Sequence, residues 1–296
     1  MIPARKLLFF SLFIFASAAS ADEKTSLTQR YQPGKTYQLA VESTIETRHL
    51  ATDEVAHSTA KIKQTYEMQA SKEATGQTLV KVHIASIEAT ITSPEQLLKY
   101  DSANPALSPP ALQQTFGAMK DKSFTLVYDS SHRLVETRDA ANDDTTPLGT
   151  QTGMTSKQLA EAFHRLRDLP LPVQPMAPGK SWTWENQLEL PPIGKILIKG
   201  ISTLEPPASP TPQGIASIKI TGQIEFPPLI AADSTPITLN NASSTGTLLF
   251  DQELGQVKKL ETVTSLTVQQ QGQTFHLRQT EKTELISVTD TATDTP

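Results

Sequence analysis

Apolar and polar residues alternate along most of this chain, and this pattern predicts β-strands. In the first such run, Tyr37, Leu39 and Val41 fall on one face, whereas Gln38 and Glu42 fall on the other. A period of two residues is that of a strand with one buried face and one face in water. Comparable runs follow near 61–68, 80–91, 124–135, 182–198, 218–226 and 248–285. We therefore predict a mostly β protein with minor α content.

The third run changes phase within a few residues. The apolar positions before and after the change are Val80, Val82, Ile84, Ile87, Ala89 and Ile91. A shift by one residue moves the following side chains to the opposite face of a strand. It predicts either a β-bulge around Ala85 and Ser86 or a strand that is buried on both faces.

Two stretches follow the helical period instead. Apolar residues at i, i+4 and i+7 from Leu112 predict a short helix within an insert at about 105–119. Leu159, Phe163 and Leu166 form a second apolar stripe behind a capping box, and they predict a longer helix. The Leu-Pro-Leu-Pro run that follows should be extended, because the residue before a proline avoids the helical region.

Short matches between the two parts of the chain predict an internal duplication. The run Pro-Gly-Lys-Thr-Tyr around Gly34 parallels Pro-Gly-Lys-Ser-Trp around Gly179. The run Thr-Leu-Val-Tyr before Asp129 likewise parallels Thr-Leu-Leu-Phe before Asp251. Each match combines a strand with a turn, and the order is the same in both halves. We predict two related antiparallel sheets or half-barrels that are joined by one helix.

The first residues have the features of a secretory signal peptide. Arg5 and Lys6 precede an almost wholly apolar run at 7–15, and the Ala-Ser-Ala at 19–21 fits a cleavage site. A membrane anchor is the alternative, but this apolar run has about half of the roughly 20 residues that span a bilayer. No cysteine follows for lipid attachment. We predict an exported protein, periplasmic or secreted, that is not a lipoprotein.

These features divide the chain into five parts. They are a signal peptide at 1–21, an N-terminal β lobe at 22–153, a linking helix and proline-rich arm at 154–174, a C-terminal β lobe at 175–288 and a disordered tail at 289–296.

Composition narrows the function further. Without residues 1–21 the chain has 24 basic residues, two fewer than the 26 of the full sequence, against 31 acidic ones. This mildly acidic balance argues against nucleic acid or an anionic membrane as a partner. Because the chain has no cysteine, an apolar core has to hold the fold together, and thiol catalysis and cysteine-bound metals are excluded.

Motifs for catalysis or nucleotide binding are incomplete. Both Gly-Lys-[Ser/Thr] runs resemble the end of a phosphate loop, but Gln29 and Gln174 replace its first glycine, and a strand follows each run. Ser58 and Lys61 have the spacing of a catalytic serine–lysine pair, but on a strand they point to opposite faces. The six histidines are scattered without metal-ligand spacing. We therefore predict no catalytic, cofactor-binding or metal-binding residue, and no enzyme.

The candidate ligand-facing residues are aromatic. Trp182 and Trp184 lie two apart on one predicted strand and so share a face. Together with Tyr37 at the matching place, they either fill the core or form an apolar platform that lines a cleft. Asp129 and Asp251 are predicted to stabilise their turns through their own side chains. The alternative for this aspartate pair is a carboxylate site between the lobes.

With these motifs in view, the chain resembles a family of exported bacterial β-rich proteins of unknown function. The pattern is Gly-x-x-[Tyr/Trp] at a strand start, a central Tyr-Asp-Ser, Leu-Pro-x-Pro-Val before Gly-x-x-Trp, and a late Phe-Asp-x-x-x-Gly hairpin. Its positions here are Gly34 to Tyr37, Tyr100 to Ser102, Leu169 to Val173, Gly179 to Trp182 and Phe250 to Gly255. The resemblance implies an envelope protein and no catalytic residues.

The leading functional prediction is a non-enzymatic envelope protein that binds an apolar ligand, a lipid or a protein partner through its sheet surfaces. Two other functions remain open. One is an interaction scaffold that pairs through strand edges. The other is a hydrolase with a site between the lobes.

Overall fold

The structure is a computed structural model, and it describes residues 24–50, 55–120, 122–138, 156–167, 169, 171–190, 194–207, 212, 214–225, 238–270 and 273–291. The predicted signal peptide at 1–21, the end of the predicted N-terminal lobe up to 153 and the tail from 292 lie outside the described residues. Thr155, the first residue of the predicted capping box, also lies outside them.

Twelve strands make up most of the described chain. The strands of the first half are β1 (Lys35–Leu50), β2 (Val55–Lys72), β3 (Thr78–Thr92), β4 (Leu97–Asp101), β5 (Ser123–Tyr128) and β6 (Leu134–Arg138). The strands of the second half are β7 (Ser181–Leu190), β8 (Gly194–Leu204), β9 (Ile215–Glu225), β10 (Thr238–Asp251), β11 (Gln256–Gln270) and β12 (Gln273–Asp290). β12 therefore reaches two residues into the predicted tail.

All twelve strands belong to one antiparallel sheet, so the two predicted sheets or half-barrels are continuous with each other. The order is β6-β5-β3-β2-β1-β12-β11-β10-β9-β8-β7, with β4 on β3 beside β5. β1 pairs with β12 along its whole length, from Lys35 opposite Asp290 to Leu50 opposite Thr274. This pairing satisfies backbone groups that two separate sheets would leave exposed at their edges. The sheet is not closed, since β6 and β7 end the order.

The two halves of the sheet run in the same sense. β6-β5-β3-β2-β1 and β11-β10-β9-β8-β7 both descend in chain order, and β12 lies between them. Gly34 and Gly179 have matching positive φ angles of 81° and 79°. The backbone N–H of each glycine donates at 2.7 Å to a carbonyl oxygen on the neighbouring strand, that of Ala70 on β2 and that of Leu204 on β8 respectively. These parallels are what a duplication would leave, and the duplication itself stays a prediction.

The change of phase in β3 is a β-bulge, as one of the two alternatives predicted. Ser86 pairs with Thr65, and Ile84 pairs with the next residue Tyr66, so that Ala85 is the extra residue. Side chains on both sides of the bulge therefore return to the same face, and Ile84 and Ile87 are both buried.

One face of the sheet, called the inner face here, carries the apolar core. In the first half it includes Tyr37, Leu39, Val41, Tyr66, Met68, Val80, Val82, Phe124 and Leu126. In the second half it includes Leu204, Ile218, Ile220, Leu248, Phe250 and Leu260. The register places both sets on the same face, because Val41 lies opposite Thr283, which lies opposite Leu260.

Two helical segments cover the inner face of the first half. The segment 110–120 follows a 3-10 turn at Pro105–Leu107 and contains a π-helical turn at Gln113–Gly117. The helix Ser156–Arg167 lies on the sheet through Phe163, whose ring centroid is 5.0 Å from that of Tyr66 and 5.6 Å from that of Phe124. This helix therefore packs on one half, and the β1–β12 pairing joins the halves.

Residues before β1 and residues after the helix Ser156–Arg167 contact the core of the second half. Leu27 is buried in the second core, and Leu169 and Leu171 of the proline-rich arm and Met176 just after it pack against the same core. Thr25 and Met176 exchange two backbone hydrogen bonds of 2.7 and 2.9 Å, which fixes the N-terminal segment against the arm.

A buried polar cluster joins the end of this helix, the N-terminal segment and β11. Arg167 donates to Oε1 of Gln256 at 2.6 Å, and its guanidinium carbon lies 5.9 Å from the ring centroid of Tyr31. Gln256 in turn donates to the backbone carbonyl of Arg30. Arg167 is 5% exposed and Gln256 1%. Polar groups buried this deeply stabilise a fold only while their hydrogen bonds are made, so the cluster holds the helix end, the N-terminal segment and β11 in one arrangement.

Candidate functional site

The tryptophans lie on the inner face at the β7 edge of the sheet. Trp182 pairs with Ser202 and Trp184 with Gly200 of β8. Both rings are partly buried against the second core. The Trp184 indole covers two glycines, since a Cβ atom on Gly200 would lie 2.1 Å from its Cζ2, and one on Gly222 would lie 3.6 Å from its Cη2. Because these two glycines have no side chains, the indole packs directly over them.

A wide groove of about 800 Å³ runs across β7 to β10 beside Trp184. Its lining includes the polar residues Glu185, Lys199, Gln223 and Ser243. The indole Nε1 of Trp184 is buried and has no hydrogen-bond partner within the described residues. Trp184 thus packs at the edge of the second core and is also among the residues that line this groove.

The other predicted site residues have structural surroundings. Tyr37 is fully buried, its ring lies edge-on to Tyr31 at 5.4 Å, and its hydroxyl oxygen accepts a hydrogen bond from the backbone N–H of Gln32 at 2.7 Å. Burial raises the pKa of Tyr37. Tyr37 therefore packs within the first core and offers no ring face to a groove.

The two aspartates stabilise turns. Asp129 Oδ1 accepts the backbone N–H groups of Ser131 at 2.8 Å and Arg133 at 2.9 Å. The backbone hydrogen bond from Arg133 is the main reason why the pKa of Asp129 lies below its ordinary value. Asp251 Oδ1 accepts two backbone N–H groups in the same way, those of Glu253 and Leu254, at 3.1 and 2.9 Å. Each carboxylate is engaged by its own turn, and the structure gives no contact between them.

An apolar groove of about 380 Å³ lies under the helical segment 110–120. Val41 and Ile62 form its floor on β1 and β2, and Phe116 and Met119 form its wall. Ser43, Gln64 and Thr115 complete the lining. The π-helical turn contributes Phe116, which is 7% exposed, while Met119 is 8% exposed, so the segment itself is well packed. The volume falls within the range of roughly 300–1,000 Å³ that is usual for small-molecule sites.

Polar groups of β12 and β2 lie next to this groove. Glu281 pairs with Ser43 and Thr283 pairs with Val41, so both point to the inner face beside the groove lining. Burial raises the pKa of the half-buried Glu281 carboxyl, and its charge contributes to the raised pKa of the buried Tyr66 hydroxyl after the larger effect of burial. The Tyr66 hydroxyl donates to Oε1 of Gln64 at 2.9 Å.

The sequence alone did not identify Glu281. It lies in the polar run Arg-Gln-Thr-Glu-Lys-Thr-Glu at 278–284, which has the composition of an exposed strand. One signal was available, because Glu281 and Thr283 share the phase of Phe275, Leu277 and Leu285. A polar residue in the apolar phase of a strand is the informative exception to alternation.

Within the described ranges, no group of three or more histidine, aspartate and glutamate side chains is placed to hold a metal ion. None of the helical segments in this part of the chain combines the length and the apolar character that crossing a membrane requires.

Comparisons with known proteins identify a shared fold. Neither a protein-family model nor a curated protein sequence matches the chain. A structure of lipovitellin, solved to describe lipid–protein interactions, aligns with a TM-score of 0.52 and 11% identity. The alignment covers 90% of this chain and 26% of the lipovitellin chain, so this chain spans about a quarter of that protein. At this identity the match shows similarity of fold alone.

Two further structures align much more weakly. An outer membrane channel from Pseudomonas putida F1 has a TM-score of 0.21 and 8% identity over 88% of this chain and 98% of its own. A DUF1329 family protein from Desulfovibrio piger has a TM-score of 0.16 and 7% identity over 89% of this chain and 88% of its own. Scores this low carry no argument about the fold. The family resemblance inferred from the motifs stays a prediction.

Proposed function

We propose that the protein is a non-enzymatic, exported binding protein that shelters a lipid or another apolar ligand on the inner face of its sheet. The observation that carries the proposal is the apolar groove between the helical segment 110–120 and strands β1 and β2. A groove lined by Val41, Ile62, Phe116 and Met119 removes apolar ligand surface from water. Each square ångström of apolar surface buried in this way contributes about 25 cal/mol.

The fold supports this proposal by analogy. The lipovitellin structure that shares the fold was described for its lipid–protein interactions. A shared fold is not a shared function, so the weight rests on the groove itself. Its lining has few polar side chains and no charged one. A ligand without an apolar part would lose its hydration there with little replacement, whereas a hydrocarbon chain loses nothing.

The experiment that tests the proposal compares two glutamate substitutions. Ile62→Glu places a charge on the floor of the groove, and Val135→Glu places one on the exposed edge strand β6, where Val135 is 52% exposed. Binding of the apolar dye N-phenyl-1-naphthylamine to the mature protein is followed by fluorescence. We expect Ile62→Glu to weaken dye binding at least tenfold and Val135→Glu to leave it unchanged. Equal affinities of both variants and the parent would overturn the proposal.

Export is part of the proposal and has its own test. Expression of the full chain in a Gram-negative host should give a soluble product in the osmotic-shock fraction. Its mass should match that of a chain that begins at Asp22. A product that retains residues 1–21 and stays in the cytoplasm would show that the segment is not processed as a signal peptide.

The open sheet favours a second candidate function, pairing of β7 with a strand of a protein partner. β7 (Ser181–Leu190) has a strand neighbour on one side, β8, within the described part of the chain. Edge strands of this kind add further strands through backbone hydrogen bonds. Thr183→Pro removes a backbone donor on β7 and should abolish co-purification of such a partner while dye binding persists. Co-purification that survives this change would exclude pairing through β7.

A further inference from the structure

Two polar residues of β12, Glu281 and Thr283, lie beside the apolar groove, and neither forms a salt bridge within the described residues. β12 runs beside β1 at this point, and the register sets Glu281 opposite Ser43 and Thr283 opposite Val41. Directly paired residues in an antiparallel sheet hold their Cβ atoms about 4.5–5.5 Å apart. Ser43 and Val41 both line the groove, so the register places Glu281 and Thr283 beside its β1 residues.

The side chains around Glu281 supply no positive charge. On β1 its inner-face neighbours are Val41, Ser43 and Ile45, and on β11 they are Leu260, Thr262 and Thr264. From β2 the nearby titratable group is Tyr66, and the wall of the groove contributes Phe116 and Met119. Within the described residues Glu281 forms no salt bridge. Its outward-facing neighbour Lys282 does form one, because its Nζ lies 3.7 Å from Oε1 of Glu261.

The second unusual group is the hydroxyl of Thr283. Its side chain is 3% exposed, and its Oγ1 has no hydrogen-bond partner among the described residues. Buried hydroxyl groups are nearly always hydrogen-bonded, and one without a partner disfavours the folded state unless something else supplies the bond. A ligand head group beside Glu281 and Val41 is in position to supply it.

These observations define the chemistry of the head group. We propose, building on the proposed lipid-binding function, that the groove takes a single-chain amphiphile whose head donates hydrogen bonds and carries no negative charge, and that Glu281, Thr283 and Ser43 hold that head. A hydroxyl or amino head donates to the oxygens of Glu281 and supplies a hydrogen-bond partner for Oγ1 of Thr283. A carboxylate head brings a second negative charge into a site where the described residues supply no cation, which is unfavourable by like-charge repulsion. Burial also raises the pKa of the Glu281 carboxyl, because it disfavours the charged form.

The test uses three amphiphiles with the same chain and different heads. Octanol, octylamine and octanoate are titrated at neutral pH against the dye-loaded mature protein, and displacement of N-phenyl-1-naphthylamine is measured. We expect octanol and octylamine to displace the dye at concentrations at least tenfold below those needed for octanoate. In Glu281→Gln, octanoate should improve until it lies within about threefold of octanol.

Two controls make the result specific. Glu284→Gln removes a carboxylate three residues away on the exposed outer side of β12 and should keep the full discrimination against octanoate. Thr283→Val keeps the packing and removes the orphaned hydroxyl, and should weaken octanol by about three- to tenfold, the effect of one hydrogen bond.

The outcomes separate the two proposals. If none of the three amphiphiles displaces the dye, the proposed lipid-binding function fails and this inference falls with it. If all three displace it equally well, or if Glu281→Gln discriminates as strongly as the parent protein, the groove binds apolar ligands and the assigned head-group chemistry is wrong.

Discussion

Replacing Gly200 with alanine tests how the Trp184 indole is seated. The added Cβ would lie 2.1 Å from Cζ2 and 2.2 Å from Cε2 of that ring. The closest ordinary contact is 3.4 Å, so the ring has to move by about 1.3 Å, and a rigid indole can do so only by leaving its rotamer or pushing β7 away. Overpacking of this kind costs about 1–3 kcal/mol. With a urea dependence of about 2 kcal/mol per molar, the unfolding midpoint should fall by about 0.5–1.5 M.

Gly222 is the matched control, one strand further in beneath the same indole. A Cβ there would meet its nearest atom, the carbonyl oxygen of Lys199, at 3.5 Å, and the indole at 3.6 Å, both ordinary contacts. Gly222→Ala should therefore be neutral or stabilising by about 0.4–1 kcal/mol, because alanine has fewer unfolded conformations. In a Trp182→Phe background the remaining tryptophan should shift its emission to longer wavelength with Gly200→Ala only. Identical stabilities and spectra for Gly200→Ala and Gly222→Ala would refute the close packing of the Trp184 indole on Gly200.

Three further outcomes are expected. Arg167→Met leaves the buried Gln256 without its 2.6 Å hydrogen bond and should lower the free energy of unfolding in urea by about 1–3 kcal/mol; an unchanged midpoint would contradict the buried cluster. Asp251→Ala removes the acceptor of two backbone amides and should cost about 1 kcal/mol, whereas the surface ion pair lost in Asp290→Ala should cost less than about 1 kcal/mol in the same thermal unfolding assay. Equal losses would argue against the turn role. Because burial raises the pKa of Glu281, its charged form disfavours the fold, so Glu281→Gln should be more stable than the parent at neutral pH and equal to it below about pH 4.3. A difference in melting temperature that grows towards acid pH would contradict the burial of this carboxyl.

Local features of the fold could be read from the sequence because they depend on neighbours in the chain. Alternation located the strands, and the change of phase in β3 located the bulge at Ala85. The helical spacing at 112–119 marked residues that are indeed buried on the sheet, among them Phe116. Each of these signals arises from which face of an element is in water, and that preference is written into a few consecutive residues.

The pairing of β1 with β12 has no such signal. Lys35 and Asp290 lie 255 residues apart, and any two alternating strands present similar edges. The prediction of two sheets followed from the repeat alone, since nothing in either half indicates that its edge is shared. The same limit applies to Glu281, whose partners on the inner face come from β1 and β11 and are visible only when the register is known.

The position of β12 explains why the polar groups lie where they do. Each half of the sheet has its own apolar core, and β12 lies between them without a counterpart in the first set of strands. The inner-face row that crosses the centre reads Ile62, Ser43, Glu281, Thr262 and Gly246, so apolar packing weakens where the halves meet. A strand needed only to join two cores would favour leucine or valine at these places. Burying the Glu281 carboxyl and the Thr283 hydroxyl disfavours folding, and binding of a ligand head group would explain their presence, because the head group supplies hydrogen-bond partners for both.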